Sequence, residues 1–378
     1  MYKRLLDLPN ILKKKSFFLL GPRATGKTTL IGEQLPDALV IDLLSNDTYM
    51  ALLRRPSLIQ EYITDKTQIV VIDEIQKLPE LLDEVHSLIQ KRSIRFLLTG
   101  SSARKLKHGG ANLLAGRAWE ARLFPLVSQE IDDFNLLKYL NHGGLPDIYQ
   151  SEYPDEELRN YVSLYLKEEI KAEAVTRNVA AFAEFLDTIA LANGCEINYE
   201  RFSSDLQVSP TTLKNYLQIL DDTLIGFSLR GFTKTRKRKA TARAKHYLFD
   251  VGITRYLSRT SEILPKSKAF GDAFEHFIIL EVRAYLSYAR KDVQMYYWRS
   301  TSQFEVDLIC GDKVAIEIKG SDQITPGDLK GLRAFAEEGQ VKKLIAVSLD
   351  RVERMTEDGI LILPWKDFLK KLWHGEIL

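Results

Sequence analysis

Residues 21–28 read Gly21-Pro22-Arg23-Ala24-Thr25-Gly26-Lys27-Thr28, the spacing G-x-x-x-x-G-K-[ST]. Two glycines let the backbone curl so that successive N–H groups converge on an anion. Lys27 brings a positive charge to the β- and γ-phosphates of a nucleotide, and the Thr28 hydroxyl is placed to reach Mg²⁺. Thr28-Thr29-Leu30-Ile31 is compatible with a helix whose amino end favours negative charge. The chemistry is the binding of a nucleoside triphosphate, with ATP and Mg²⁺ as the expected cofactors.

A second set completes that site. Ile69-Val70-Val71-Ile72-Asp73-Glu74 ends four apolar β-formers in two acids. Asp73 would hold Mg²⁺ directly or through water, and Glu74 would orient and deprotonate the attacking water. Arg95-Phe96-Leu97-Leu98-Thr99-Gly100-Ser101-Ser102 ends another apolar run in small polar residues. Ser101 or Ser102 would sense the γ-phosphate, unless the stretch is a plain strand-to-turn junction. Arg117, in a loop, would stabilise transition-state charge if it reaches the γ-phosphate, and is a solvated loop arginine otherwise.

A third set lies far downstream. Phe304-Glu305-Val306-Asp307-Leu308-Ile309-Cys310, a Gly311-Asp312 turn and Val314-Ala315-Ile316-Glu317-Ile318-Lys319 read as a hairpin. Residues two apart on a strand share a face, so Glu317 and Lys319 project together and the hairpin can bring Asp307 beside them. Two carboxylates and a lysine facing one point suit Mg²⁺ or Mn²⁺ and metal-dependent phosphodiester cleavage.

The elements that must position these residues alternate strand and helix. Phe17-Phe18-Leu19-Leu20 precedes the phosphate loop, and Val40-Ile41-Asp42 fits a strand between the loop and Asp73. Fully apolar runs of this kind read as buried parallel strands, which deliver functional residues at the carboxyl edge of a sheet.

GPRATGKTTL, VVIDEIQKLPELL, LLTGSS and LAGRAWEARLFPLVSQE, in this order over about residues 15–140, resemble a group of prokaryotic AAA-superfamily ATP-binding proteins that carry a C-terminal domain of unknown function. The resemblance implies a P-loop sheet flanked by helices and, by analogy, a possible homo-oligomer with a site between subunits. Residues 270–347 resemble the PD-(D/E)xK nuclease superfamily. Asp307, Glu317 and Lys319 match its D…ExK core, and Glu275 matches the acid many members carry on the preceding helix as a metal ligand. A helix at 326–338 and a strand at 344–347 complete an α-β-β-β-α-β order. The other reading is a fold relic whose acids sit in surface salt bridges.

The middle of the chain reads as helical. Tyr161, Leu164, Tyr165 and Glu168 recur at helical spacing, as do Phe182, Phe185, Leu186 and Ile189. Residues 199–220 fit a helix-turn-helix, with Ser209 as cap, Pro210 in the first turn, and Thr211, Thr212, Lys214 and Asn215 near the start of the second helix. Residues 234–245 carry Lys234, Arg236, Lys237, Arg238, Lys239, Arg243 and Lys245 without an acid. As a wing they would lie along DNA phosphates, and as a loop they would simply be solvated.

Composition bounds the rest. With 53 Lys plus Arg against 51 Asp plus Glu, a nucleic-acid surface must be local. Two cysteines, Cys195 and Cys310, are too few for a disulfide framework and fit a cytoplasmic setting. No apolar run approaches the roughly 20 residues that span a bilayer, so no membrane partner is expected. Residues 1–15 do not read as a signal peptide.

The expectation is an α/β protein with an AAA-type P-loop ATPase domain (1–150), a helical and winged-helix part (151–232) and a PD-(D/E)xK-like α/β domain (233–378). Its activity would be ATP hydrolysis coupled to a DNA-binding, nuclease-like half. The alternative is a nucleotide switch that scaffolds a protein partner.

Overall fold

The computed structural model describes residues 2–92, 94–102, 113–166 and 179–378. Glu168 lies outside them. Among them are two sheets, and the mixed α/β class expected from the sequence holds.

The first sheet is five-stranded, in the order β2-β3-β4-β1-β5. Its strands are β1 (Ser16–Leu20), β2 (Leu39–Asp42), β3 (Ile69–Asp73), β4 (Arg95–Gly100) and β5 (Ala118–Arg122). All pairings are parallel, with Phe17 opposite Leu97 and Ile72 opposite Leu98. β1 is buried along its whole length, as its unbroken apolar run requires. The phosphate loop leaves β1 and enters the helix Lys27–Gln34. Gly26 stands at φ 87°, a left-handed conformation that favours glycine. At Gly21 a Cβ would lie 2.4 Å from the Leu123 carbonyl oxygen, so only glycine fits there.

The second sheet is eight-stranded, in the order β12-β13-β11-β10-β9-β8-β6-β7. Its central members are β8 (Met295–Arg299), β9 (Glu305–Cys310), β10 (Val314–Lys319) and β11 (Lys343–Ser348), with β12 (Arg354–Met355) and β13 (Ile360–Pro364) at one edge. β9 and β10 form the expected antiparallel hairpin, and β11 joins β10 in parallel. The long helix Lys268–Tyr288 precedes β8, and the helix Lys330–Ala336 separates β10 from β11.

The helices Tyr199–Asp205 and Pro210–Asp222 form as expected, and Ser209 Oγ accepts from Thr212 N at 3.1 Å. The hairpin after them differs from a free wing. Its strands, β6 (Gly226–Gly231) and β7 (Ala244–Leu248), extend the second sheet, because β6 pairs in parallel with β8 at Arg230–Tyr296. The division expected at 232/233 therefore falls inside one hairpin. The division expected at 150/151 also crosses a shared core, since Leu126, Tyr139, Leu140 and Tyr149 cluster with Phe270, Phe274 and Phe277 of the long helix.

Candidate functional site

The nucleotide loop is closed by its own lysine. Lys27 Nζ donates to the carbonyl oxygens of Gly21 (2.7 Å) and Pro22 (3.0 Å), and Thr25 Oγ1 donates to Pro22 O at 2.8 Å. Thr28 Oγ1 lies 3.4 Å from Asp73 Oδ2, so a hydroxyl and a carboxylate meet as hard-cation donors would. Arg23 is partly buried, while Ala24, Thr28 and Thr29 are exposed at the loop surface.

Two residues to which the sequence reading gave no role join this set. Thr99 Oγ1 donates to Asp73 Oδ1 and accepts from Glu74 N at 3.1 Å. Gln76 Nε2 donates to the Glu74 carboxylate and to Ser101 Oγ, the latter at 3.2 Å. Glu74 itself stands at φ 60°, a left-handed backbone unusual for a non-glycine residue, which marks a special position. The signal for Thr99 lay in LLTGSS, where the polar residue nearest the strand end faces the neighbouring strand's acids. Ser101 is thus tied to Glu74 through Gln76. Arg117 sits in the turn before β5, partly buried, and no contact joins its side chain to Lys27, Thr28 or Asp73 among the described residues.

The loop is also braced from outside its sheet. The buried Arg4 donates to Thr25 O (2.6 Å) and Phe124 O (2.6 Å) and is ion-paired with Glu130 at 3.0 Å. Tyr161 Oη donates to Arg23 O at 3.2 Å.

In the second sheet Asp307, Glu317 and Lys319 do converge. Lys319 Nζ lies 2.5 Å from Glu317 Oε1 and 3.8 Å from Asp307 Oδ2, and Asp307 Oδ2 accepts from Ile318 N at 2.8 Å. Glu317 is nine-tenths buried and its Oε2 has no hydrogen-bond partner. Burial, then the neighbouring Asp307, raise the Glu317 pKa well above the usual carboxylate range despite Lys319. Burial works against the Lys319 charge, but Asp307 and Glu317 outweigh it and raise its pKa.

Glu275 departs from its expected role. Its Oε1 accepts from Tyr247 Oη at 2.7 Å and from Lys245 Nζ at 3.4 Å, and Lys245 also pairs with Glu305 at 2.7 Å. Burial and then Asp307 raise the Glu275 pKa to about 7. Among the described residues no group of three or more His, Cys, Asp or Glu side chains is disposed to hold a metal ion. In this structure Glu275 is held by a buried lysine and a tyrosine, with Asp307 as a charged neighbour. Asp307 and the unpartnered Oε2 of Glu317 remain as donors.

The basic stretch is likewise largely matched. Glu338 accepts from the backbone N–H groups of Arg236 (2.6 Å), Lys237 (2.8 Å) and Arg238 (3.1 Å). Arg238 pairs with Glu337, Arg243 with Glu196, and Lys245 is buried. Lys234, Arg236 and Lys239 keep exposed side chains, as do Thr211, Lys214 and Asn215.

Residues 13–132 match the family model of an AAA domain. Over those residues the chain is similar to an AAA domain. Residues 133–263 and 270–368 match two further family models, each described as a domain of unknown function. Uncharacterized proteins of Mycobacterium tuberculosis and Mycobacterium bovis are each 24% identical over 92% of this chain and 79% of their own length. One from Haemophilus influenzae is 23% identical over 60% of each chain. Among solved structures, the Aeropyrum pernix ORC1 protein in complex with DNA is 13% identical, with a TM-score of 0.25 over 65% of this chain and 87% of that one. A STAND ATPase of Pyrococcus horikoshii is 14% identical, with a TM-score of 0.26 over 77% and 48%. No described helix is long and apolar enough to cross a membrane.

Proposed function

We propose that the AAA domain binds and hydrolyses ATP and that its nucleotide state governs the carboxylate–lysine cluster of the second sheet. The observation that carries the first part is the continuous network Thr28–Asp73–Thr99–Glu74 beside Lys27. In this reading, Gly21 to Thr29 cradle the phosphates and Lys27 exchanges its loop carbonyls for phosphate oxygens. Mg²⁺ held by Thr28 and Asp73 would neutralise phosphate charge. Glu74, fixed by Gln76, takes a proton from the attacking water. The water oxygen bonds to the γ-phosphorus as the bond to the leaving ADP oxygen breaks, giving ADP and inorganic phosphate. Ser101, held by Gln76, senses the γ-phosphate, and Arg117 would act only after moving, in its own subunit or in a neighbour of a homo-oligomer. A cleft of about 340 Å³ beside Gly26 and Thr29, bordered by Tyr2, Pro146 and Asp147, is a fitting place for the base.

For the second sheet we propose a DNA-binding, nuclease-like function resembling PD-(D/E)xK enzymes. Asp307 and Glu317 would hold a divalent cation (Mg²⁺ or Mn²⁺) that supplies an activated water, and Lys319 would face the scissile phosphate. The uncapped Oε2 of Glu317 supports this, since a buried carboxylate oxygen without a partner is costly unless a cation meets it. DNA would approach through Lys234, Arg236 and Lys239 and the exposed start of the helix Pro210–Asp222. A specific observation favours the alternative of a protein-binding switch: most of the basic stretch already has acidic partners within the chain.

The decisive experiment is ATP turnover with and without DNA, run beside plasmid nicking in Mn²⁺. The proposal expects DNA to change turnover and ATP to change nicking. Turnover without any nicking or salt-sensitive DNA binding selects the switch.

A further inference from the structure

Residues 4–8 strap the phosphate loop and its helix. Leu8 N donates to Gln34 Oε1 at 2.8 Å, and Gln34 Nε2 donates to Leu6 O at 3.0 Å, at the far end of the helix Lys27–Gln34. Leu5 N donates to Glu130 Oε1 at 2.8 Å. Leu6 and Leu8 are buried in one cluster with Leu30, Ile31 and Leu35. Hydrogen bonds and apolar packing on both sides thus fix the backbone that carries Arg4.

Arg4 is buried, and its guanidinium meets four partners. Nη1 donates to Thr25 O at 2.6 Å, and Nη2 donates to Phe124 O at 2.6 Å and to Tyr288 Oη at 3.4 Å. Nε faces Glu130 at 3.0 Å. A planar fork of donors can serve acceptors on this many sides, whereas a lysine offers its donors from one point. A buried ion pair is weak evidence for stability, and this one is set apart by the loop carbonyl it grips. No peptide bond among the described residues is cis, and in a planar trans peptide the C=O and the following N–H point in opposite directions. Arg4 therefore draws the Thr25 carbonyl toward Phe124 and the long helix and turns the Gly26 N–H away from them. Gly26, at φ 87°, takes that turn without the strain a side chain would add. Its own carbonyl accepts from Leu30 N at 2.9 Å, so the peptide that Arg4 sets is the one from which the helix Lys27–Gln34 starts.

We propose that Arg4 is a positioning residue of the nucleotide site, holding the Thr25–Gly26 peptide so that the Gly26 N–H faces the phosphates of the bound nucleotide. The assignment rests on the ATP-binding reading and deepens it, because it names the group that keeps one amide of the cradle in place without itself touching the phosphates. An amide set in advance needs no reorganisation when the anion arrives. The same guanidinium joins that peptide to the long helix, since Tyr288 Oη accepts from Phe124 N at 3.2 Å as well as from Arg4.

The test is calorimetry on the full chain with ATP, ADP and inorganic tripolyphosphate, as wild type, Arg4→Gln, Arg4→Lys and Lys27→Ala. Arg4→Gln should raise the Kd of all three ligands together by about ten-fold or more, the loss expected when a charge-assisted hydrogen bond that sets a binding amide is removed. Arg4→Lys keeps the charge beside Glu130 but not the fork, and should raise the Kd by a smaller factor. A merely structural arginine would instead lower the melting temperature and the number of sites per chain, while the Kd of the folded fraction stays at the wild-type value. Weaker binding of ATP and ADP with tripolyphosphate unaffected would make Arg4 a contact of the nucleoside, in the cleft it borders with Gly26 and Thr29. Should Arg4→Gln not fold, a wild-type Kd in Arg4→Lys decides against the proposal. With binding still lost in Lys27→Ala, each of these last three results overturns the Arg4 assignment alone. A wild-type chain that binds neither ATP nor tripolyphosphate overturns the ATP reading and this inference with it.

Discussion

The phosphate loop and the carboxylate–lysine cluster are two charged sites built in opposite ways. The loop draws on eight consecutive residues, and its working groups are backbone N–H groups, one lysine and one hydroxyl. The cluster is assembled from β7, β9, β10 and the long helix, and its groups are side chains that pair with one another. A cradle of backbone depends on local conformation and stands ready for an external anion. A cluster of buried side-chain charges must settle its own electrostatics first, because an unmatched buried charge costs several kcal/mol. That is why Lys245 and Tyr247 have claimed Glu275, and why only Asp307 and one oxygen of Glu317 are left for a cation.

The comparison can be broken most severely at the loop. Glu74→Gln should lower ATP turnover by about 10²–10⁴-fold, the usual contribution of a general base, with nucleotide affinity retained. Phosphate release and calorimetry measure both, and unimpaired turnover would end the assignment of Glu74 as base. At the cluster, Asp307→Ala and Glu317→Ala should each reduce Mn²⁺ uptake and plasmid nicking to background, whereas Glu275→Gln should leave Mn²⁺ affinity nearly unchanged. Equal losses in all three would restore the three-acid site. Thr99→Val should slow turnover about ten-fold, as expected when a hydrogen bond worth ~1–1.5 kcal/mol that aligns Asp73 and Glu74 is lost.

The smallest effect concerns stability. Burial of Glu338 pushes its pKa up, but the backbone N–H groups of Lys237, Arg236 and Arg238 overcome that and hold it below the usual carboxylate range. A depressed folded-state pKa gives stability that is present above the unfolded pKa and lost as pH falls through the folded one. Glu338→Gln should therefore cost about 1–3 kcal/mol at neutral pH in denaturant melts and flatten the decline below about pH 4. An identical acid limb in the variant would show that Glu338 does not anchor the basic loop.

Much of the architecture was legible. The apolar runs ending in Asp73 and Gly100, the Gly311-Asp312 turn, the α-β-β-β-α-β order and the Ser209 cap are local patterns, set by side-chain period, turn chemistry and capping. The site was legible where a motif or a hairpin register ties its residues together, as with Thr28 and Asp73 or Asp307, Glu317 and Lys319. Thr99, Gln76 and Arg4 were given no role because the contacts that matter for them form only in the folded chain, and Lys245 was read only as part of the basic stretch. The basic stretch read as free for the same reason: Glu337, Glu338, Glu196 and Glu305, which meet it, are remote in the chain.

From sequence alone the protein was bound to carry a phosphate loop between a buried strand and a helix, and to bring Glu317 and Lys319 to one face of a strand. Those outcomes need only backbone conformation and the alternation of side chains along a β-strand. The folded chain decided which charges face each other, which carboxylate oxygen stays uncapped, and that the expected wing became part of a sheet. Coulombic and hydrogen-bonding interactions act through space over a few ångströms, and residues far apart in sequence come that close only when the sheets and helices pack.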